Sequence, residues 1–477
     1  MADFEFDYQE IGGVPIACCD KVARQRIDEL AAASGVTYFG RVWNLANSTP
    51  VADHYVGNLA FGQTLPEWLG LGCYIVKADH TRKKLMASNH YKYEDGTPAK
   101  LDGTDGHYQW GWCKKFYIVV KQQGDELALI IAKGKIPGEY NYEIPIASES
   151  AAGWATMERS TGKLVSYINM GTNYRGGNNN SALDGLYNTQ LGMPASNMTT
   201  NAFLNAAHLN GDGWLGACMR FECVKAILFY VIMGNLNAQA AFNANLDANG
   251  LHQGGLGTGP TNAGGWWGKA VAEGGFGYYP AIPLSAGISM GDGLGTFTYD
   301  VKDANGDTLQ TMNCTCFFGL KNGVGGIMWK MMTDELFVCQ EDKSQKHYFA
   351  SKICKVDGNW TYSIAESLTG FTEGGQTPVY ETAALNYITR VLFKNLQLMP
   401  LAVGGGDTNR FSDVYYNPAA TSGFRLVLRS GNLNGGGHCG LSIVRGNDGV
   451  GDAYASFGSS LCEAAEEWKA EAEYVEV

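Results

Sequence analysis

The chain has 477 residues, 45% of them hydrophobic and only 17% charged, a balance that supports a sizeable buried core and excludes disorder. The net charge is −12 and the only compact basic run is Arg82-Lys83-Lys84, which excludes nucleic acid as a partner and an anionic membrane surface as a docking site. The longest apolar run, Ala226 to Met233, is too short to span a bilayer, so membrane insertion is not expected.

The opening MADFEFDYQE is acidic and lacks an apolar h-region, so the protein is expected to be made and folded in a cytosol. The twelve Cys contain no C-x-x-C pair, which argues for buried free thiols over a zinc ribbon or a redox motif. From Asp20 to Ala33 the spacing of Val22, Ile27, Leu30 and Ala31 predicts a short amphipathic helix capped by Asp20. A polar stretch from Asn44 to His54 follows, and a boundary is placed near residue 60. That division gives an N-terminal docking or oligomerisation segment, 1–60, and a main domain, 61–477.

Strands are expected at Cys73–Val76, Phe116–Val120 and Leu127–Ala132, and an exposed loop at Asn169–Ser181. The best helix runs from Leu215 to Met233. It follows Asp212-Gly213, stops before Gly234-Asn235, and repeats Ala217, Phe221, Val224, Leu228 and Val231 on a helical period. Residues 250–300 are rich in Gly without a fixed repeat, as in long irregular loops laid over a scaffold. Strands return at Thr296–Val301 and Asn313–Phe318. The end, CEAAEEWKAEAEYVEV, is expected to be a short helix, with Ser460 and Glu463 spaced as a capping box. Helices and strands that do not alternate regularly indicate an α+β fold.

Catalytic motifs are weak. Gly287-Ile288-Ser289-Met290-Gly291 matches G-x-S-x-G, but turn and strand residues follow it where a nucleophile elbow needs a helix. None of the eight His falls at a metal-ligand spacing, and Asn210–Gly213 and Asp303–Asp307 read as turns, lacking the full calcium-loop pattern. Neither a metal nor another cofactor is expected, and no catalytic residue is assigned.

Several segments, in order, resemble one family. Tyr91–Gly106 (YKYEDGTPAKLDGTDG) is similar to the family's entry into its domain, and Ala206–Phe242 to its long helix. Phe317–Trp329 (FFGLKNGVGGIMW) resembles its G-(I/L)-x-N-x-x-G-x-(I/V)-W signature, in which Asn322 and Gly325 suit a tight turn and Phe318, Ile327 and Trp329 can pack beneath it. Arg425–Leu433 resembles its R-x-x-R-G-G-x-W strand, and Gly435–Leu461 its terminal variable cassette. The family is that of phage and prophage proteins with a C-type-lectin-like domain related to formylglycine-generating enzymes. It includes variable proteins of diversity-generating retroelements such as the major tropism determinant group. Leu433 stands where the family has Trp, and Ser460 where it has Arg. The copper-binding Cys pair and the iron-binding His set of the enzymatic relatives are not reproduced.

The resemblance implies a C-type-lectin-like domain with long Gly-rich loop insertions and a non-catalytic role: a phage tail protein on a virion, made in the host bacterial cytoplasm. Its implied partners are a bacterial cell-surface receptor, glycan or protein, other phage tail proteins, and further copies of itself, commonly as a trimer. The alternative is a structural virion protein using the same fold without host contact. Within the cassette, about 430–462, small residues hold an irregular backbone. Asn432, Asn434, His438, Leu441, Ser442, Val444, Asn447, Asp448, Val450, Asp452, Tyr454 and Ser456 are expected to project as the ligand-binding surface. Tyr415, Tyr416 and Asn173–Ser181 are candidate extensions of it. Asn432, Asn434 and Asn447 are also compatible with a cassette diversified by adenine mutagenesis.

Overall fold

A helix that is apolar on every side has to be surrounded. Met219–Met233 is such a helix, and all fifteen of its residues are buried. It ends where expected, with Gly234 in the left-handed conformation at φ 59°. Its start is four residues later than the sequence predicts, because Trp214–Leu215 pairs as a strand. The Asp334 carboxylate, from a distant strand, accepts the Met219 N–H at 2.9 Å and caps the helix.

In the computed structural model, residues 8–11, 14–17, 35–258, 280–350, 368, 370–379, 386–416, 422–433, 435–466, 468–469 and 471–476 are described. The amphipathic helix expected at 20–33 lies outside them, as does much of the Gly-rich stretch. The fold is mostly β, with 38% strand against 13% helix, so the few helices serve sheets that do the enclosing.

The helix packs against three of these sheets. One has six antiparallel strands in the order Glu473–Tyr474, Tyr140–Ile144, Phe116–Gln123, Glu126–Ala132, Tyr38–Asn44, His54–Gly57. Alternation along its centre is strict: Leu127, Leu129 and Ile131 join the main core, while Ala128, Ile130 and Ala132 join a second cluster with Tyr38, Val42 and Val56. A boundary near residue 60 therefore does not divide the fold. Residues 38–44 pair along their whole length with 126–132, and Phe39 and Trp43 belong to the main core.

The second sheet has seven strands, with Ala147–Ser150 between His107–Gly111 and Cys462–Ala464. The C-terminal segment is thus a strand at 462–464 and not the start of a helix. Ser460 is buried, and Glu463 points into the sheet, where it accepts from Ser148 Oγ (2.7 Å), Arg82 Nη2 (2.6 Å) and His80 Nδ1 (2.9 Å). The capping-box spacing loses to these partners from distant strands.

The third sheet has nine strands and its hub is Trp329–Cys339, which pairs with Gln345–Ala350, Phe424–Arg429 and Phe457–Gly458. Arg429 forks onto Glu335 at 2.7 and 2.9 Å, and His347 Nε2 meets the same carboxylate at 2.7 Å, tying three adjacent strands.

Where helix, second sheet and third sheet meet, four charges close a ring. Lys225 Nζ lies 3.0 Å from Glu149 and 2.7 Å from Glu222; Lys330 Nζ lies 2.9 Å from each. All four side chains are essentially inaccessible. Against the effect of burial, the two ammoniums hold the Glu222 carboxyl down at about 2. Removing one member strands a charge. Lys330→Met is expected to destabilise the protein by about 3–5 kcal/mol in chemical denaturation, the cost typical of an orphaned buried charge.

Candidate functional site

The cassette leaves the strand Phe424–Arg429 through Ser430 and Gly431, both at positive φ (70° and 74°). Gly431 is required here, since a Cβ would sit 2.1 Å from the Cys439 Sγ. A 3₁₀ turn at Gly436–His438 follows. The chain then re-enters the third sheet as Val444–Arg445, parallel to Val414–Tyr416 and beside Leu428. It loops out through 446–456 and returns at Phe457–Gly458, parallel to Trp329–Lys330. The cassette is therefore pinned to the sheet at 444–445 and 457–458, and between them Gly449 bridges Arg425 while the Leu426 N–H donates to Asp448 O at 2.9 Å.

That weaving decides which side chains face outward. Asn447 is exposed and Tyr454 is 48% exposed; Asn432, His438, Val450, Asp452 and Ser456 are half-buried. Four expected surface residues are buried instead, and each has a physical reason. Leu441 and Val444 join the main core. Ser442 bonds the Tyr230 hydroxyl at 2.6 Å, and its N–H donates to Asp413 at 2.8 Å. Asp448 accepts both Arg445 Nε (2.6 Å) and Nη2 (2.9 Å). Asn434 lies outside the described residues. Of the proposed extensions, Tyr415 is buried, its hydroxyl donating to Gln345 Oε1 at 2.6 Å and lying 2.9 Å from Thr377 Oγ1, while Tyr416 is half-buried. The loop at 173–181 is exposed at Asn178–Ser181 and half-buried at Asn173–Arg175. It approaches the cassette through a neighbour, since the Ser196 N–H bonds Gly177 O and the Asn197 N–H bonds Tyr454 O.

Pairing places Tyr387, Tyr416 and Arg445 on one face of the third sheet with Leu428 and Met331. The rings there form a series. His438 and Tyr387 meet edge-on at 5.5 Å, and Tyr416 meets Trp329 at 5.8 Å. The Arg445 guanidinium lies 5.3 Å from the Trp329 ring and 5.7 Å from Phe457, whose ring meets Tyr454 at 4.9 Å. Trp329 and Phe457 are the buried floor; Tyr387, Tyr416, His438, Arg445 and Tyr454 form a partly exposed rim. Asp448 neutralises Arg445, so the rim offers flat aromatic edges and hydrogen-bonding groups with little net charge. Sequence reasoning missed Tyr387 and Arg445. A compositional reading of the cassette cannot find Tyr387, which lies 45 residues upstream of its first candidate, Asn432.

Two other constellations carry chemically capable side chains. Ser289 lies in an exposed 3₁₀ turn, Ile288–Met290, followed by the strand Leu294–Lys302, so the strand–turn–helix of a nucleophile elbow is not formed. Ligand atoms of Cys73, His90 and Asp292 lie within 4.8 Å of one another. Beside them the Lys321 ammonium donates to Tyr108 Oη and Gly291 O, both at 3.0 Å, and lies 3.4 Å from His90 Nδ1. An ammonium only donates, so Nδ1 is the unprotonated nitrogen and Nε2–H donates to Asp292 at 2.9 Å. A metal on Nε2 would move that proton to Nδ1, which lies 2.6 Å from the Tyr108 hydroxyl and 3.4 Å from the ammonium. Burial also pushes the Cys73 thiol far above its usual range. The Lys321 ammonium lies within the group, and the Asp292 Oδ2 is buried there without a hydrogen-bond partner.

No protein-family model and no curated protein matches the chain. Among the described residues no helix is long and apolar enough to cross a membrane.

The Arg445–Asp448 clamp shapes the loop. Asp448→Ala leaves Arg445 without its carboxylate, and a stability loss of about 1–3 kcal/mol is expected by denaturant titration.

Proposed function

We propose that this chain is a non-catalytic recognition protein of a phage tail, with a C-type-lectin-like domain that binds a bacterial surface ligand, glycan or protein, through its C-terminal cassette. The observation that carries the reading is the rim of Tyr387, Tyr416, His438, Arg445 and Tyr454 around a buried Trp329–Phe457 floor. Rigid aromatic edges give large contact area at low entropic cost, and the sheet beneath holds them in place. The ordered run of family-like motifs supports the same reading. The signature turn fits its expected chemistry: Asn322 and Gly325 take positive φ (54° and 85°), and Ile327 and Trp329 are buried next to it.

In this reading the protein sits on the virion with other tail proteins after synthesis in the host cytoplasm. Several copies act together, so that weak single contacts gain on the order of 10²–10⁴-fold by avidity.

Purified protein is expected to bind some strains in a panel of intact bacteria and not others. Changing His438, Asn447 and Tyr454 to Ala together should weaken that binding by about 100-fold, the effect of two or three interface residues of ordinary strength, with an unchanged thermal melt. Undiminished binding by the folded variant discards this surface. Failure of the parent protein to bind any strain favours a structural role in the virion.

A further inference from the structure

Asp413 is a buried carboxylate. It lies just before the strand Val414–Tyr416, directly under the cassette. Its Oδ2 accepts the Ser442 N–H at 2.8 Å, its Oδ1 lies 3.4 Å from Gln239 Nε2, and the Gly440 N–H also favours its charged form. The fit to the cassette backbone is close: a Cβ on Gly440 would lie 2.3 Å from Oδ1. Among the described residues no Lys, Arg or His forms an ion pair with it. The titratable groups that face it are the Tyr230 hydroxyl, from the central helix, and the Cys439 thiol, from the cassette. Burial raises both, so both are neutral near pH 7. The Gln239 Oε1 is buried with no hydrogen-bond partner. Turning that amide gives Asp413 an acceptor for a proton of its own.

Resting on the recognition reading above, we infer that Asp413 is the positioning residue of the binding surface: protonated, it bridges Gln239 and the 440–442 backbone, and the cassette loosens as that proton is lost. In the closed state burial pushes the carboxyl up to about 8 from its ordinary 3.8. When the cassette opens, water reaches the carboxyl and it returns to ordinary acidity. Closure is therefore favoured most below about pH 4. Its advantage falls as pH rises and stops falling once pH passes the closed-state value.

Hydrogen exchange of the amides at 440–444, divided by the intrinsic base-catalysed rate, reads this directly in the intact chain. Opening in the parent protein is expected to rise by about tenfold per pH unit between pH 5 and 7.5, as for release of a single proton, and to level off above about 8. Asp413→Asn keeps an acceptor for Ser442 and gains a donor for Gln239, so its profile should be flat. A flat profile in the parent protein overturns the inference without any variant. So does a rise that survives in a folded Asp413→Asn protein. Binding to the bacterial panel, measured alongside, separates the two ideas: a pH-dependent cassette on a protein that binds no strain sinks the receptor reading and leaves the latch standing.

Discussion

Four charges that water does not reach, Glu149, Glu222, Lys225 and Lys330, sit where the helix and two sheets converge. Burying one such ion without a partner costs several kcal/mol, so the group is tolerable only as a complete ring in which each carboxylate meets both ammoniums. The requirement is geometric as well as energetic. The helix is apolar all round, and hydrophobic burial alone would accept many rotations about its axis. Glu222 and Lys225, one turn apart, must both face the ring, and that selects one rotation. Arg220 fixes it from another side, donating to Trp468 O at 2.8 Å and Ala350 O at 3.1 Å. Conformational specificity is a better account of these ions than stability, since a well-packed apolar replacement could be as stable.

The ring also fixes the proposed binding surface at a distance. Lys330 follows Trp329, so placing its ammonium in the ring sets the register of the hub strand. Trp329 then lies beneath Tyr416 and Arg445, and Lys330 opposite Arg429. The pairing between Trp329–Lys330 and Phe457–Gly458 carries the same constraint into the end of the cassette. In the proposed recognition role, a rim built this way would lose little conformational freedom on binding, because its floor is already fixed by packing.

Local signals in the sequence were legible where the structure is local. Gly234-Asn235 stops the helix, Leu127–Ala132 alternates as a strand, and Asn322 and Gly325 take positive φ. Signals failed where a distant partner overrode them. Ser460 and Glu463 have capping-box spacing, yet Glu463 answers to Ser148, Arg82 and His80, more than three hundred residues away. The start of the fold was placed too late for the same reason: strand 38–44 shows its membership only through its pairing with 126–132. Within the cassette, Gly, Ser and Asn composition identified a loop-rich segment but could not show that Val444–Arg445 returns to the sheet. That return turns Leu441, Ser442, Val444 and Asp448 inward. Asp413 left no trace in a reading of motifs, because a lone aspartate before a short strand looks like ordinary turn chemistry.

These placements separate two kinds of cassette position that composition alone confuses. Asn447 and Tyr454 face solvent, and their contacts, with Arg445 and with the Phe457 ring, lie at the edge of the fold. Leu441, Ser442, Val444, Asp448 and Gly440 each fill a space or meet a partner that tolerates little else. The proposed recognition surface, if it is to vary while keeping its fold, needs that division. Variation confined to the outward set changes chemistry against a constant backbone, whereas variation in the inward set would break the clamp on Arg445 or the contact with Asp413. The small residues between them serve the backbone, since Gly431 and Gly440 leave room for Cys439 and Asp413 that any side chain would occupy. The glycine-rich composition that made the cassette resemble a flexible loop is thus, at these positions, a condition of its close fit to the sheet.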